Sequence, residues 1–141
     1  MPVSIREQVL AAVCTAVGGT YALDTPDDDR DLPLTAVQEE PESAEANYSS
    51  SNITMPVVIA RAEATTSRAA NQMRIQCNAI HAALIAEMAA STALGNLVDS
   101  VFYTTGFIQA EAGKYCLAQT TFTIQYHTVL GDPFTIEEPE D

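Results

Sequence analysis

The chain has 141 residues, with six Lys or Arg against nineteen Asp or Glu, so its formal net charge is −13. Its hydrophobic content of 47% is sufficient for the core of one ordinary domain. The basic residues are scattered, whereas binding to phosphates needs clustered Lys and Arg, so specific nucleic-acid binding and attraction to anionic membranes are not expected.

A first helix is predicted over about residues 4–17. Ser4 and Glu7 have the spacing of a capping box, and apolar residues then recur at helical intervals. The Gly18-Gly19 pair predicts the end of this helix. The acidic segment 24–31 follows, and its composition is typical of a polar, turn-rich loop.

Two strands are predicted next, over residues 32–40 and 53–64. Apolar and polar residues alternate in the first strand, and Pro33 favours a strand start or a sheet edge. The segment 41–51 between them is rich in Glu, Ser and Asn, which predicts a mobile hairpin loop.

The strongest helical pattern covers residues 65–90. It contains an apolar stripe with steps of four, three, four and four residues, and Gly95 lies beyond its expected end. The stripe is predicted to be the buried side of the helix. Its members are Met73, Cys77, Ile80, Leu84 and Met88.

A second, longer hairpin is predicted from strands 98–110 and 115–130, joined by a turn at 111–114. In the first strand we expect one face to carry Val101, Tyr103, Thr105 and Phe107. In the second strand we expect one face to carry Phe122, Ile124, Tyr126, Thr128 and Leu130, of which Phe122, Ile124 and Tyr126 pack against the helix stripe.

These elements predict an α+β fold in the order helix, hairpin, helix, hairpin. The simplest packing is one antiparallel sheet with both helices on one face. We expect a single domain over residues 1–134, with 24–31 and 41–51 as extended loops. Residues 135–141 are expected to form an acidic flexible tail.

The cysteines and the first residues of the chain bear on the compartment. Cys14, Cys77 and Cys116 are odd in number and widely spaced, so we expect reduced thiols and no disulfide framework. No apolar run is long enough for a transmembrane helix, and the N-terminal residues do not have the pattern of a signal peptide. A protein made in a cytoplasm is expected.

The densest cluster of like charge contains Asp27, Asp28, Asp29 and Asp31. Three interpretations stay open: a solvated loop, an oxygen-ligand site for Mg²⁺ or Ca²⁺, and a contact with basic groups of a partner. The spacing does not match an EF-hand loop. The solvated loop is the favoured interpretation, and no metal site is assigned.

No catalytic constellation is assigned either. His81 lies four residues after Cys77, which places them near each other on a helix, but Cys77 belongs to the apolar stripe and a buried structural thiol is favoured. Two histidines and three separated cysteines provide no paired zinc spacing. Phosphate-binding and hydrolase motifs are absent from the sequence, so we expect no enzyme activity and no cofactor.

The last hairpin has two interpretations. Its many threonines are good strand formers, or they form a small, uncharged polar surface against another subunit. Gly106 in mid-strand indicates a bulge or the close approach of another backbone. Thr105, Gly106 and Phe107 are therefore candidate contact residues, together with the Asp27–Asp31 cluster.

The whole arrangement resembles a known family over roughly residues 4–134. The resemblance rests on a helix starting Ile5-Arg6-Glu7, an acidic loop, the strand Leu32-Pro33-Leu34, an Ala-rich helix and a final strand Phe122–Thr128 followed by Gly131-Asp132-Pro133. This pattern is similar to the tail terminator and minor tail proteins of long-tailed, siphovirus-type bacteriophages, including the lambda-type terminator.

The resemblance implies a virion structural protein without catalytic residues. Such a subunit forms a ring, expected to be a hexamer, that caps the tail tube, ends its polymerisation and joins it to the head connector or stopper protein. DNA passes through the central hole without specific binding. The implied location is the head-tail junction of the virion, and the host cytoplasm during assembly.

Two alternatives remain at this stage. A neighbouring neck, head-closure or tail-completion protein shares the same size and style. A small acidic binding or enzyme domain belongs to a different class, and a strictly monomeric chain that binds Ca²⁺ or a small ligand would favour it.

Overall fold

The computed structural model describes residues 3–21, 33–46, 49–95, 97–111 and 114–136. Helices pack against a mainly antiparallel sheet, so the predicted α+β fold and the alternating order of helices and strands are confirmed. The helices are α1 (Ile5–Val17), α2 (Ala70–Ala89) and α3 (Thr92–Gly95). The strands are β1 (Thr20–Tyr21), β2 (Leu34–Glu39), β3 (Ser43–Ala46), β4 (Ser50–Ala64), β5 (Ser100–Glu111), β6 (Tyr115–Val129) and β7 (Asp132–Ile136).

Both ends of α1 form as the sequence predicts. The Ser4 hydroxyl accepts a hydrogen bond from the Glu7 backbone N–H at 3.2 Å. Gly18 adopts a left-handed conformation with φ of 63°, and the Gly19 N–H donates to the Cys14 carbonyl at 2.9 Å. This is a Schellman ending, which needs a residue without Cβ strain at Gly18.

The centre of the sheet is the antiparallel pair β4–β6. The two 15-residue strands are in register from Ser50 opposite Val129 to Ala64 opposite Tyr115. β2 and β3 pair with the other side of β4, while β5 and β7 pair with the other side of β6. β1 pairs with β2 in parallel, so the sheet is not wholly antiparallel.

Two segments differ from the sequence prediction. Within the expected loop 41–51, β3 pairs with β4, and β4 itself begins at Ser50. Within the expected tail, residues 135 and 136 belong to β7, which pairs back on β6. Gly131, with φ of 77°, permits the reversal that brings β7 onto the sheet.

The helix predicted from residue 65 begins at Ala70, because the five preceding residues form a turn with its own hydrogen bonds. The Gln76 side chain donates to the Ala64 carbonyl at 2.9 Å and accepts from the Thr66 N–H at 3.1 Å. The Ser67 hydroxyl accepts from the Ala69 N–H at 3.1 Å. No helix in the described part of the chain is long and apolar enough to cross a membrane.

The core lies between the helices and one face of the sheet. Phe122, Ile124 and Tyr126 are buried there, as predicted. The helix stripe, however, is divided between two apolar clusters. Leu84 and Met88 pack in the main core with Phe122, Ile124 and Tyr126. Cys77 and Ile80 form a smaller cluster with Cys116 and Ala118, and Met73 is partly buried beside it.

Candidate assembly interface

The two faces of the sheet are covered differently. Along β6, every second residue from Cys116 to Thr128 is buried, and these side chains point toward the helices. The residues between them point to the opposite face, on which none of the described helices packs. We call this opposite side the open face.

The open face carries no formal charge over its centre. From β4 it presents Pro56, Val58 and Ala60, each partly buried. From β6 it presents Thr and Gln side chains and one Leu, and from β2 it presents one Leu, one Ala and one Gln. The β6 members are Leu117, Gln119, Thr121, Thr123 and Gln125, and the β2 members are Leu34, Ala36 and Gln38. In a chain with a net charge of −13, this distribution makes the centre of the open face a neutral surface of substantial size.

Charged groups occur at the margins of the open face. The His127 ring is paired with the Asp99 carboxylate at one end of β6. At the other end Lys114 pairs with Glu111 at 3.0 Å. Glu45 lies beside a shallow depression of about 350 Å³ lined by polar side chains, unlike the mostly apolar pockets that hold small ligands.

β5 forms one edge of the sheet beside β6. Its residues from Ser100 to Ala110 include no charged side chain, although charges are the common protection of an exposed edge. Phe102 is 54% exposed and Phe107 is 50% exposed, and both pair with residues that point to the open face. The edge and the open face are therefore continuous.

A β-bulge corrects one sequence expectation. Val101, Tyr103, Thr105 and Phe107 were expected on one face of the strand. The register shifts between Tyr103 and Thr105, so Tyr103 faces the helices opposite Phe122, whereas Thr105 and Phe107 point to the open face. The Thr104 hydroxyl lies 2.7 Å from the Thr123 hydroxyl on that face.

Gly106 points toward the helix layer and is close to side chains of its own chain. A Cβ at this position would lie 2.7 Å from His81 Nε2 and 2.8 Å from the Tyr103 hydroxyl. His81 Nε2 and the Tyr103 hydroxyl are themselves 3.1 Å apart and form a hydrogen bond, with the rings edge to face. The bulge lies before Gly106, and the groups that approach Gly106 closely are the side chains of this histidine–tyrosine pair.

The predicted neighbours Cys77 and His81 point to different partners. The Cys77 thiol donates to the Gln109 carbonyl at 3.5 Å, while His81 contacts Tyr103. Burial beside Cys77 raises the pKa of the Cys116 thiol to about 11, so this thiol is protonated at neutral pH. A protonated, buried thiol is a poor nucleophile.

Ion pairs join the helices to β2 and β4. Arg61 of β4 donates to the Glu87 carboxylate at 2.6 Å, to the Val17 carbonyl at 2.6 Å and to the Thr35 hydroxyl at 2.8 Å. Arg6 of α1 pairs with the Glu39 carboxylate at 2.5 Å. Burial by itself would lower the pKa of the Arg6 guanidinium, but its acidic partners raise it. Both groups hold the protomer together.

The acidic candidates Asp27, Asp28, Asp29 and Asp31 lie outside the described residues, so their role stays a prediction. Within the described ranges, no three His, Cys, Asp or Glu side chains come together in a way that could hold a metal ion. Thr105, Gly106 and Phe107 lie together on β5, but only Thr105 and Phe107 face outward.

Comparison with known protein families finds no family that matches the chain. Comparison with curated protein sequences also finds no match.

Proposed function

We propose that the protein is a structural subunit of a homo-oligomeric ring in a bacteriophage tail, positioned at the end of the tail tube next to the head connector. In this role it ends polymerisation of the tube and lets DNA pass. Its chemistry is association with copies of itself, with tail tube protein and with the connector or stopper protein. The resemblance in element order to tail terminator proteins supports this choice.

One observation carries the proposal: the edge strand β5, uncharged from Ser100 to Ala110, is continuous with the uncharged centre of the open face. A monomer with a net charge of −13 gains solubility from charges on every exposed surface, and an edge with none is open to pairing with another chain. Phe102 and Phe107 add half-exposed aromatic rings to that edge. Aromatic side chains are enriched where protein surfaces associate.

The charge also fits a DNA passage. With six basic residues against nineteen acidic ones, a channel wall built from this chain releases few counterions on contact with phosphates. A wall of this kind does not retain DNA as it passes. The acidic excess of the chain disfavours association between copies at low salt, so assembly should strengthen as salt screens the repulsion.

The first test is the mass and shape of the purified chain. A hexamer of the 15.1 kDa chain has a mass of about 91 kDa, which light scattering after size exclusion distinguishes from a monomer. Negative-stain electron microscopy should show rings with a central hole. A strict monomer at all salt concentrations, alone and with tail tube ends, would contradict the proposal.

The second test concerns tail length. Phage that lack this chain should produce tubes of uncontrolled length that fail to join heads, and supplying the chain in trans should restore uniform joined tails. Tails with an unchanged length distribution in its absence would count against a terminating role.

A further inference from the structure

Two arginines at the start of α2 have no partner within their own copy. Arg68 lies in the turn before the helix and Arg74 lies in its second turn, and both are exposed. Within the described ranges neither side chain forms an ion pair or a hydrogen bond, whereas Arg6, Arg61 and Lys114 are all paired with carboxylates. The first turn of α2 contains no acidic residue. In a strongly acidic chain, this end of the fold therefore presents unneutralised positive charge.

The polar depression on the open face has the opposite character. It is lined by Ser43, Ala44, Glu45, Asn52, Thr54 and Gln125. Glu45 is the formally charged member, and it has no ion pair with any of the described residues. Asn52 lies opposite Glu45 in the β3–β4 pair, and its buried Oδ1 receives no hydrogen bond from the described part of the chain. Because a buried acceptor without a donor is costly, the depression favours a ligand that brings positive charge and N–H groups.

The arginines and the depression lie at opposite ends of the β4–β6 strand pair. Asn52 is near the beginning of β4, and both arginines follow the end of this strand at Ala64. Twelve steps along the strand separate Asn52 from Ala64, which corresponds to ~40 Å at ~3.3 Å per residue. The guanidinium groups therefore cannot reach the depression of their own copy.

We propose that the polar depression of one copy receives the Arg74 side chain of the next copy, while Arg68 raises the positive potential at the same end of α2. This inference rests on the proposed self-assembly and names one contact that carries it. A guanidinium has five N–H donors in a planar fork, so one arginine can pair with the Glu45 carboxylate and also donate to Asn52 Oδ1. Each copy has both halves of the contact and can use neither internally, so a second copy supplies what the first one lacks.

The contact uses two different surfaces of each copy, one at each end of the strand pair. Repeated head to tail, a contact of this kind closes into a ring or extends into a filament. It also places opposite charges next to each other between copies that repel through their net charge of −13. Complementary charge at this one place therefore determines which surfaces meet.

The test reverses one charge on each side of the contact in the full chain. Glu45→Arg places a cation in the depression, and Arg74→Glu places a carboxylate on α2. The matched controls Glu7→Arg and Lys114→Glu make the same changes of charge at other exposed positions. Sedimentation velocity measures the assembly state, and circular dichroism with thermal melting verifies the fold. Should Glu45→Arg fail to fold, Glu45→Lys takes its place.

Glu45→Arg should weaken self-association about tenfold or more, because it places two cations opposite each other. General repulsion predicts the reverse, since this change reduces the net negative charge by two, and Glu7→Arg should accordingly assemble at least as well as wild type. Arg74→Glu should assemble about tenfold more weakly than Lys114→Glu.

The decisive measurement is a mixture of the two reversed variants. Glu45→Arg and Arg74→Glu should together regain assembly close to that of wild type, at a 1:1 ratio, because each reversed group then meets the opposite charge on its neighbour. Two separately folded proteins restore each other in this way only if the two positions meet across copies.

Other outcomes overturn the inference in distinguishable ways. If both reversed variants assemble like their controls, the ring proposal stands and this contact is wrong. If both are weak and their mixture is not restored, the two positions do not face each other. If Glu45→Arg forms normal rings but no longer binds tail tube ends, the depression receives a basic group of the tube protein. If the wild-type chain is monomeric at high concentration and salt, and tail length does not depend on it, the proposed function fails as well.

Discussion

The two faces of the β4–β6 strand pair have the same backbone but different side chains. Toward the helices, β4 presents Met55, Val57 and Ile59, each fully buried. Toward the open face it presents Pro56, Val58 and Ala60, which are smaller and partly exposed. The first face is filled by its own helices, and the second is apolar enough to be covered but has no helix of the described chain above it.

The difference extends to the polar side chains. On the covered face the buried Thr120 hydroxyl has no hydrogen-bond partner among the described residues, and Arg61 is satisfied by three elements. On the open face the Ser100 hydroxyl donates to Gln125 at 2.9 Å and the Thr104 and Thr123 hydroxyls lie 2.7 Å apart, while the buried Asn52 Oδ1 on that side also lacks a partner among the described residues. Uncharged polar side chains of this kind are soluble in a free subunit, and they cost far less to bury under a second subunit than charged groups do, provided that they keep hydrogen bonds.

The largest expected effect separates the two faces through adjacent valines of one strand. Val57→Ala should destabilise the fold by about 2.5 kcal/mol, because it removes fully buried methyl groups and leaves a cavity. Val58→Ala has the same chemistry and the same strand, and should cost about 0.5 kcal/mol in a dilute, monomeric sample. Urea unfolding followed by circular dichroism measures both.

The two valine variants also report on association between copies of the chain. Under conditions where the chain assembles, Val58→Ala should change the assembly constant and Val57→Ala should act mainly through folding. Equal losses of folding stability in dilute samples would mean that the open face is covered within the protomer, and the comparison between the faces would fail.

A smaller effect is expected at the corner where the covered face meets α1. Arg61 supplies a cation to the C-terminal carbonyls of α1, which has no basic residue in its own last turn. Arg61→Met keeps the length of the side chain and removes its hydrogen bonds to Glu87, Val17 and Thr35. The expected cost is about 2 kcal/mol in urea unfolding.

Arg68→Met is the matched control, since Arg68 is exposed in the turn before α2 and its loss should stay within about 0.5 kcal/mol. A double-mutant cycle with Glu87→Gln isolates the ion pair. Equal effects of the two arginine variants would mean that Arg61 contributes only surface charge.

The long elements of this fold follow from local patterns in the sequence. The apolar stripe of α2 extends over about four turns, and along β6 seven alternate residues are buried, so both patterns are long enough to predict the element despite local irregularities. The short strands β1 and β3 contain too few apolar residues for any pattern, and they form because a neighbouring strand, β2 for β1 and β4 for β3, offers free backbone groups. The pairing of β4 with β6 joins two hairpins and has no local signal.

The candidate interface was partly accessible from sequence. The alternation of β6 separates Thr121, Thr123 and Gln125 from the core residues, but the absence of a covering helix appears only in the fold. The bulge beside Thr104 reverses the faces of the later part of β5, and Gly106, the residue that suggested a bulge, lies two residues after it. The close approach at Gly106 was expected from another backbone, but its neighbours are the side chains of His81 in α2 and Tyr103 in β5.

The smallest effect concerns this glycine, at the border between the two faces. Gly106→Ala should destabilise the monomer by about 1 kcal/mol, because the added Cβ displaces His81 and Tyr103, whose ends can move. In the background His81→Ala with Tyr103→Phe, both obstructing atoms are gone, and Gly106→Ala should become neutral or stabilising by about 0.5 kcal/mol since alanine restricts the unfolded chain. Thermal unfolding of the four proteins measures the reversal. A glycine needed for the approach of a neighbouring copy would behave differently: Gly106→Ala would then leave the monomer's stability unchanged and weaken assembly in both backgrounds.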